Sequence, residues 1–125
     1  MPTEFVYKVL DAVELAAAAA EGDYAGSAHD RRDGFIHLSG RDQVAGVIER
    51  YFIGRGDLCV IAFRPADLGA DLRWEANKTG EEFPHLYAPL PMNKARSRWI
   101  VVERANGRHE LPTPFRTGSA GDLRE

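Results

Sequence analysis

The chain has 125 residues, is 44% hydrophobic and 28% charged, and carries a formal net charge of −3 with one cysteine. That length fits a single domain whose core needs no covalent staple. The mild acidity and the lack of a Lys/Arg stripe exclude the electrostatic footprint of a nucleic-acid binder, a lone cysteine excludes an internal disulfide or thiolate metal cage, and no apolar run approaches the roughly 18–20 residues that cross a bilayer. Met1-Pro2-Thr3-Glu4 lacks the basic-then-apolar layout of a signal peptide, so the expected address is cytoplasmic.

In chain order, Glu4–Leu10 reads as a first strand, with Phe5, Val6, Tyr7, Val9 and Leu10 apolar or aromatic. Asp11 and Glu14 have capping-box spacing, with a carboxylate replacing the usual hydroxyl, and open a helix that runs to about Glu21. Its alanine run, Ala16–Ala20, has high helix propensity and permits close packing. Gly22 is its natural stop. Asp23–Asp33 reads as a polar loop long enough to edge a site, with His29 in solvent. Phe35–Leu38 is the next strand. Ser39 follows where a helix N-cap belongs, with Asp42 three residues on. Val44, Val47, Ile48, Tyr51 and Phe52 then form one apolar stripe on a helix of about three turns, ended by Gly54 and Gly56.

Leu58–Phe63 is uniformly apolar and reads as a strand covered on both faces, with Cys59 a buried, inert thiol. Pro65–Gly69 is a turn or a single helical turn, Leu72–Glu75 a short strand and Asn77–Gly80 a tight connection. Phe83–Tyr87 is a strand that Pro84 assigns to an edge or a bulge. Pro89 and Pro91 argue against regular structure around them. Ser97–Glu103 is the last clear strand, and Ala105-Asn106-Gly107 can turn the chain so that His109–Leu111 pairs back. Lys94, Arg96 and Arg98 alternate, so on a strand they would share one face, either solvated or turned toward phosphate. From Pro112 on, the composition predicts a mobile tail. The expected organisation is one domain over residues 1–111 and a flexible tail over 112–125. Strands crowd the second half, which points to an α+β fold with mostly antiparallel sheets rather than a regular α/β repeat.

His37 and His85 each interrupt an apolar run. One such histidine is usually a core residue held by a carbonyl; two suggest a shared hollow. Near them in sequence stand Ser39, Trp74, Glu75, Glu81, Glu82 and Tyr87. Three readings follow. In the first, His37 and the capped helix start at Ser39 bind an oxyanion, Trp74 or Tyr87 stacks a ring, and Glu75 orients a ribose hydroxyl. In the second, two histidines and a carboxylate hold a metal; the chain lacks His-x-His or His-x-x-x-His spacing, and no metal ligands are assigned. In the third, Trp74 and Tyr87 fill a core, Glu81 and Glu82 are solvated, and the histidines are structural. Nucleophilic catalysis has little support: Ser39 has no Gly-x-Ser-x-Gly elbow, Cys59 lacks a base near it in sequence, and no phosphate-binding glycine loop is present.

Asp33-Gly34-Phe35-Ile36-His37-Leu38-Ser39, Arg73-Trp74-Glu75 and Phe83-Pro84-His85-Leu86-Tyr87, in that order, resemble the signature of a bacterial family of uncharacterised proteins, domain of unknown function 952. The resemblance spans about residues 4 to 103 and implies a fold related to the ADP-ribosyltransferases, with two short sheets against two main helices; it implies no demonstrated activity. A more distant resemblance is to RNA 2′-phosphotransferases of that fold, which have an early Tyr-His-Gly-Thr strand and later a His-x-His-Leu-Ser strand entering a helix. His37, Leu38 and Ser39 match. Lys8 and Val9 replace the histidine and glycine of the first motif in Tyr7-Lys8-Val9-Leu10, and Phe35 replaces the earlier histidine of the second. The resemblance therefore implies a retained nucleotide cleft with altered transfer machinery; for a catalytic glutamate only Glu75 and Glu103 are candidates.

The expectation is a cleft for a nucleotide-like or phosphorylated small molecule, NAD or ADP-ribose among the candidates, built from His37, Ser39, Trp74, Glu75, His85 and Tyr87. Its chemistry would be transfer or hydrolysis at a ribosyl or phosphate centre. The alternative is a non-catalytic binding module on the same scaffold. Neither a nucleic-acid nor a membrane partner is expected, and no established cofactor is assigned.

Overall fold

The computed structural model describes residues 5–106, 108–112 and 115. β1 (Val6–Asp11) runs straight into α1 (Ala12–Glu21), and the expected capping box forms: Asp11 Oδ1 accepts from Glu14 N at 2.7 Å while Glu14 Oε1 accepts from Asp11 N at 3.3 Å. β2 (Asp23–Tyr24), α2 (Ala28–Asp33) and β3 (Ile36–His37) follow, then a 3-10 turn over Arg41–Gln43 that leads into α3 (Val44–Tyr51). The second half holds β4 (Leu58–Phe63), α4 (Pro65–Leu68), β5 (Leu72–Ala76), β6 (Glu82–Leu86), β7 (Leu90–Pro91), β8 (Ser97–Ile100), β9 (Val102–Glu103) and β10 (His109–Glu110). No helix among the described residues is long and apolar enough to cross a membrane.

The fold is α+β, as the crowding of strands implied. Among the described residues every strand pairing is antiparallel: two three-stranded sheets, β1-β4-β8 and β3-β6-β5, and two small ribbons, β2-β7 and β9-β10. The first sheet explains the apolar run of β4. All six of its residues are buried, because the two-residue alternation of a strand sends them into two different cores. Cys59, Ile61 and Phe63 join Val6 and Leu10 in one cluster with Ala18, Ile36, Leu38 and Leu86. Leu58, Val60 and Ala62 join Tyr7 and Val9 in the other, with Val44 and Ile48 of α3, Trp99 and Phe115. Each fully buried aliphatic side chain of this kind contributes about 1.5–3 kcal/mol relative to exposure. Lys8 lies between Val6 and Leu10 on the face of the first cluster, and its side chain is 10% exposed.

Several elements differ from the sequence expectation. The segment Asp23–Asp33 is not a loop: it holds β2 and α2. Ser27 and Asp30 cap α2 reciprocally (Asp30 N to Ser27 Oγ 3.1 Å, Ser27 N to Asp30 Oδ2 3.0 Å), and Gly34 ends it at φ 88°. Ser39 is not an N-cap. It bridges Tyr7, exchanging two backbone hydrogen bonds of 2.8 Å, and Gly40 starts the turn instead, its N–H bound by Gln43 Oε1 at 2.8 Å. Pro84 does not mark an edge: β6 is the central strand of its sheet. Pro84 O accepts from Leu38 N at 3.0 Å. Since the N and O of one strand residue point to the same side, the missing N–H faces the chain just beyond the end of the two-residue β3, where no ladder partner is required. Pro91 pairs with Asp23 in β7, and the expected Ser97–Glu103 strand is divided into β8 and β9. Phe115, expected in the tail, is 2% exposed and packs edge-on against Tyr7 and Trp99. The other residues from 113 on, like Glu4 and Gly107, lie outside the described residues.

Candidate functional site

The second sheet turns Leu72, Trp74 and Ala76 of β5 one way and Arg73 and Glu75 the other. Arg73 pairs with His85 and His85 with His37 across the three strands, while Glu75 pairs with Phe83. One face of this sheet therefore gathers His37, Arg73, Glu75, Phe83 and His85. The rings make the grouping concrete. Phe35 stacks on His85 at 4.0 Å between centroids with a 21° interplanar angle, His37 meets His85 at 5.7 Å, and Tyr87 lies 5.2 Å from Phe35. The Arg73 guanidinium sits 5.2 Å from the Tyr87 ring.

Two carboxylate systems organise this face. Glu75 Oε1 accepts from Tyr87 OH at 2.6 Å and from His85 Nδ1 at 2.8 Å. The hydrogen bond from Tyr87, and then that from His85, hold the Glu75 carboxyl below its ordinary pKa, and the same contact pushes the Tyr87 phenol up. With its proton fixed on Nδ1, a neutral His85 presents a bare Nε2, the geometry of an oriented acid–base imidazole. Among the described residues that nitrogen has no hydrogen-bond partner.

The second system centres on Asp30, whose side chain is 3% exposed. Its carboxylate accepts from Lys8 Nζ at 3.1 Å, Ser27 N at 3.0 Å, His37 N at 3.0 Å and His37 Nδ1 at 2.6 Å. Burial alone would raise its pKa; the donated bonds from His37 and the Lys8 charge outweigh it and hold the carboxyl well below the ordinary range. Burial lowers the pKa of Lys8, opposed by Asp30, and the ammonium also donates to His37 O at 2.9 Å. The Lys8 charge is thus directed inward onto Asp30 and the β3 backbone. The outer nitrogen of His37, Nε2, lies 2.9 Å from Asp33 Oδ2, and His29 meets His37 edge-on at 4.4 Å.

Of the residues singled out by sequence, the structure brings His37, Glu75, His85 and Tyr87 together. Ser39 is 4% exposed, its backbone engaged with Tyr7. Trp74 is on the opposite face of β5, packed over Gly40, where an added Cβ would meet its ring at 3.5 Å. Glu103 lies in the β9-β10 ribbon, against Gly56 and away from both histidines in the sheet order. Cys59 is buried and its thiol is pushed up to about 11 by desolvation, which removes it as a nucleophile. Four residues beside the two histidines are not site candidates in the sequence: Lys8, Asp30, Asp33, and His29, which was expected in solvent. The signals were there in the Ser27-x-x-Asp30 capping spacing and the one-turn spacing of His29 and Asp33. A separate surface cavity of about 510 Å³, lined by Ala19, Glu21, Gly22, Asp23, Met92 and Asn93, shares none of these residues.

A sequence profile described as "Protein of unknown function (DUF952)" matches residues 9–97. The chain belongs to the DUF952 family. It is similar to protein CC0527 from Caulobacter crescentus. The crystal structure of that protein aligns with a TM-score of 0.80 at 39% identity, covering 85% of this chain and 93% of that one. Its solution NMR structure aligns at 0.75 and 37% identity, covering 90% and 95%. No curated protein matches this DUF952 chain.

Proposed function

We propose that the outer face of the β3-β6-β5 sheet binds a phosphorylated or nucleotide-like small molecule, NAD or ADP-ribose among the candidates, and acts on it by acid–base chemistry at a phosphate or ribosyl centre. The observation that carries this reading is the Glu75–His85–Tyr87 system beside His37. One imidazole is oriented by a carboxylate, its outer nitrogen without a hydrogen-bond partner among the described residues, and the ring of a second imidazole lies 5.7 Å away. Displacement at phosphorus needs a base for the entering oxygen and an acid for the leaving one, and two histidines at that separation can divide the work. The exposed Arg73 beside Tyr87 supplies a cation for an anionic ligand, and Tyr87, 40% exposed, a surface for a ring. The distant resemblance of His37-Leu38-Ser39 to the second motif of RNA 2′-phosphotransferases favours the same ligand class.

One observation favours the non-catalytic alternative. Both nitrogens of His37 face carboxylates, Asp30 inside and Asp33 outside, so its ring also serves as a structural link between α2 and β3. Thermal-shift screening of NAD, ADP-ribose, nucleotides and phosphorylated sugars against wild type, Glu75→Gln and His85→Ala separates the two readings. Stabilisation by bound ligand grows with its concentration over Kd, reaching about 4 kcal/mol at a thousandfold excess. A shift present in wild type and abolished in both variants is expected. No shift with any compound would favour the non-catalytic module.

A further inference from the structure

We propose that His29, Asp33 and His37 form a binding site for one divalent transition-metal ion of the zinc class. Each of the three side chains offers a donor atom, and these atoms lie within 4.8 Å of one another. His37 Nε2 is 2.9 Å and His29 Nε2 is 3.4 Å from the same Asp33 oxygen, Oδ2. Nitrogen and oxygen donors about 2.1 Å from a zinc ion sit roughly 3.0 Å apart at right angles and roughly 3.4 Å apart at the tetrahedral angle. The separations of Asp33 Oδ2 from the two imidazoles fall at those values, and the imidazole donors, within 4.8 Å of each other, close on a shared ion by rotation of the exposed His29 side chain.

The local chain is built to keep the three together. His29 and Asp33 are one turn apart on α2 and project from the same side. Gly34, at φ 88°, ends the helix in the left-handed region and turns the chain back so that His37 returns across Asp33. The inner nitrogen of His37 is already committed: Asp30 Oδ1 accepts a hydrogen bond from Nδ1 at 2.6 Å, and Asp30 is itself fixed by Lys8 and Ser27. A carboxylate on the far nitrogen is the support that orients a metal-ligating imidazole and makes it more basic. Two imidazoles and one carboxylate are borderline ligands, which select zinc and its neighbours over calcium or magnesium. The side chains of His29, Asp33 and His37 are 43%, 37% and 30% exposed, so coordination positions remain open to water or a ligand. Arg32 stands in the way of one imidazole. Its Nη2 lies 3.0 Å from His29 Nδ1, and ligation through Nε2 requires the His29 proton on Nδ1. The Arg32 side chain is 69% exposed and can turn into solvent.

The inference does not depend on the phosphorylated-ligand reading, because it is tested with metal alone. Untagged, chelator-stripped protein is titrated with Zn2+ by calorimetry and with Co2+ by visible absorption. One ion per chain is expected, with d–d bands for Co2+ that Zn2+ displaces. His29→Ala, at a half-exposed position, should weaken binding by more than tenfold, and Asp33→Asn likewise; His109→Ala, on the β9-β10 ribbon, should leave it unchanged. Asp30→Asn, which loosens the His37 ring without removing a ligand, should cost about 10–100-fold in affinity. Circular dichroism and melting of each variant establish that it is folded. Absence of binding, a stoichiometry well below one, or binding that folded His29→Ala and Asp33→Asn leave intact would overturn the proposal.

Discussion

Asp30→Asn is the substitution that most directly probes how this face is held together. The carboxylate and its Lys8 partner are 3% and 10% exposed, so solvent screening offers little relief. Removing one charge of a buried pair costs about 3–5 kcal/mol, because the other charge stays buried without compensation. The bonds from His37 Nδ1, His37 N and Ser27 N belong to the same network and are not added separately. Against a total stability of roughly 5–15 kcal/mol this is a large loss. With a urea slope of about 2 kcal/mol/M, the midpoint should fall by about 2 M. Adding Lys8→Met to Asp30→Asn removes the stranded ammonium and should restore part of the loss. The sign of the pH dependence follows from the depressed carboxyl: its contribution is fully present above the unfolded-state value of 3.8 and is lost as pH falls through the lower folded value. The wild-type midpoint should therefore drop below about pH 4 more steeply than that of Asp30→Asn. A cost under about 1 kcal/mol, or no coupling between the two substitutions in the double-mutant cycle, would refute the buried-pair account.

Four further outcomes follow from single contacts. Glu75→Gln removes the carboxylate that pushes Tyr87 up, so one tyrosine should ionise at lower pH in an ultraviolet titration; an unchanged titration would deny the Glu75–Tyr87 bond. Gly26→Ala should destabilise by about 1–3 kcal/mol in chemical denaturation, since Gly26 has φ +107° and an added Cβ would lie 2.9 Å from Asp30 Cβ. Phe115→Ala should cost about 3–5 kcal/mol and alter Trp99 fluorescence, because the ring sits 5.1 Å from Trp99 and 5.2 Å from Tyr7; a neutral result would place Phe115 outside the core. Cys59, buried with its thiol pushed up to about 11, should resist a disulfide-exchange reagent until the protein unfolds, and rapid native labelling would contradict its burial.

The elements that could be read from the sequence are those whose reason for forming is local or covered on all sides. β4 matches its apolar run residue for residue because both of its faces meet a core. α1 matches because its cap and its stop are written in Asp11, Glu14 and Gly22. α2 was missed because Ala28–Asp33 has no apolar stripe. What stabilises it is a reciprocal cap and the attachment of Asp30 to Lys8 and His37, 22 positions before it and seven after. Pro84 was misassigned because the usual edge-strand rule concerns the missing N–H, and here the shortness of β3, not the position of β6, removes the need for it.

The site divides along the same line. An imidazole inside an apolar run is visible in one dimension, and His37 and His85 stand out for that reason. Trp74 and Glu75 were assigned to one ligand although neighbours on a strand point to opposite faces, and the structure separates them by that rule. The capping spacing of Ser27 and Asp30 marks a helix start but not the anion that Asp30 becomes. Nothing about it is unusual until Lys8 arrives from β1, Ser27 from the preceding turn and His37 from β3, each supplying a donor to one carboxylate. A buried anion with that many donors needs both its cap and its cation to fold, so α2 and β3 are positioned by the same group that fixes the His37 ring. Any chemistry on this face that uses His37 therefore depends on whether Asp30 keeps its charge, which ties the behaviour of the outer surface to an ion pair underneath it.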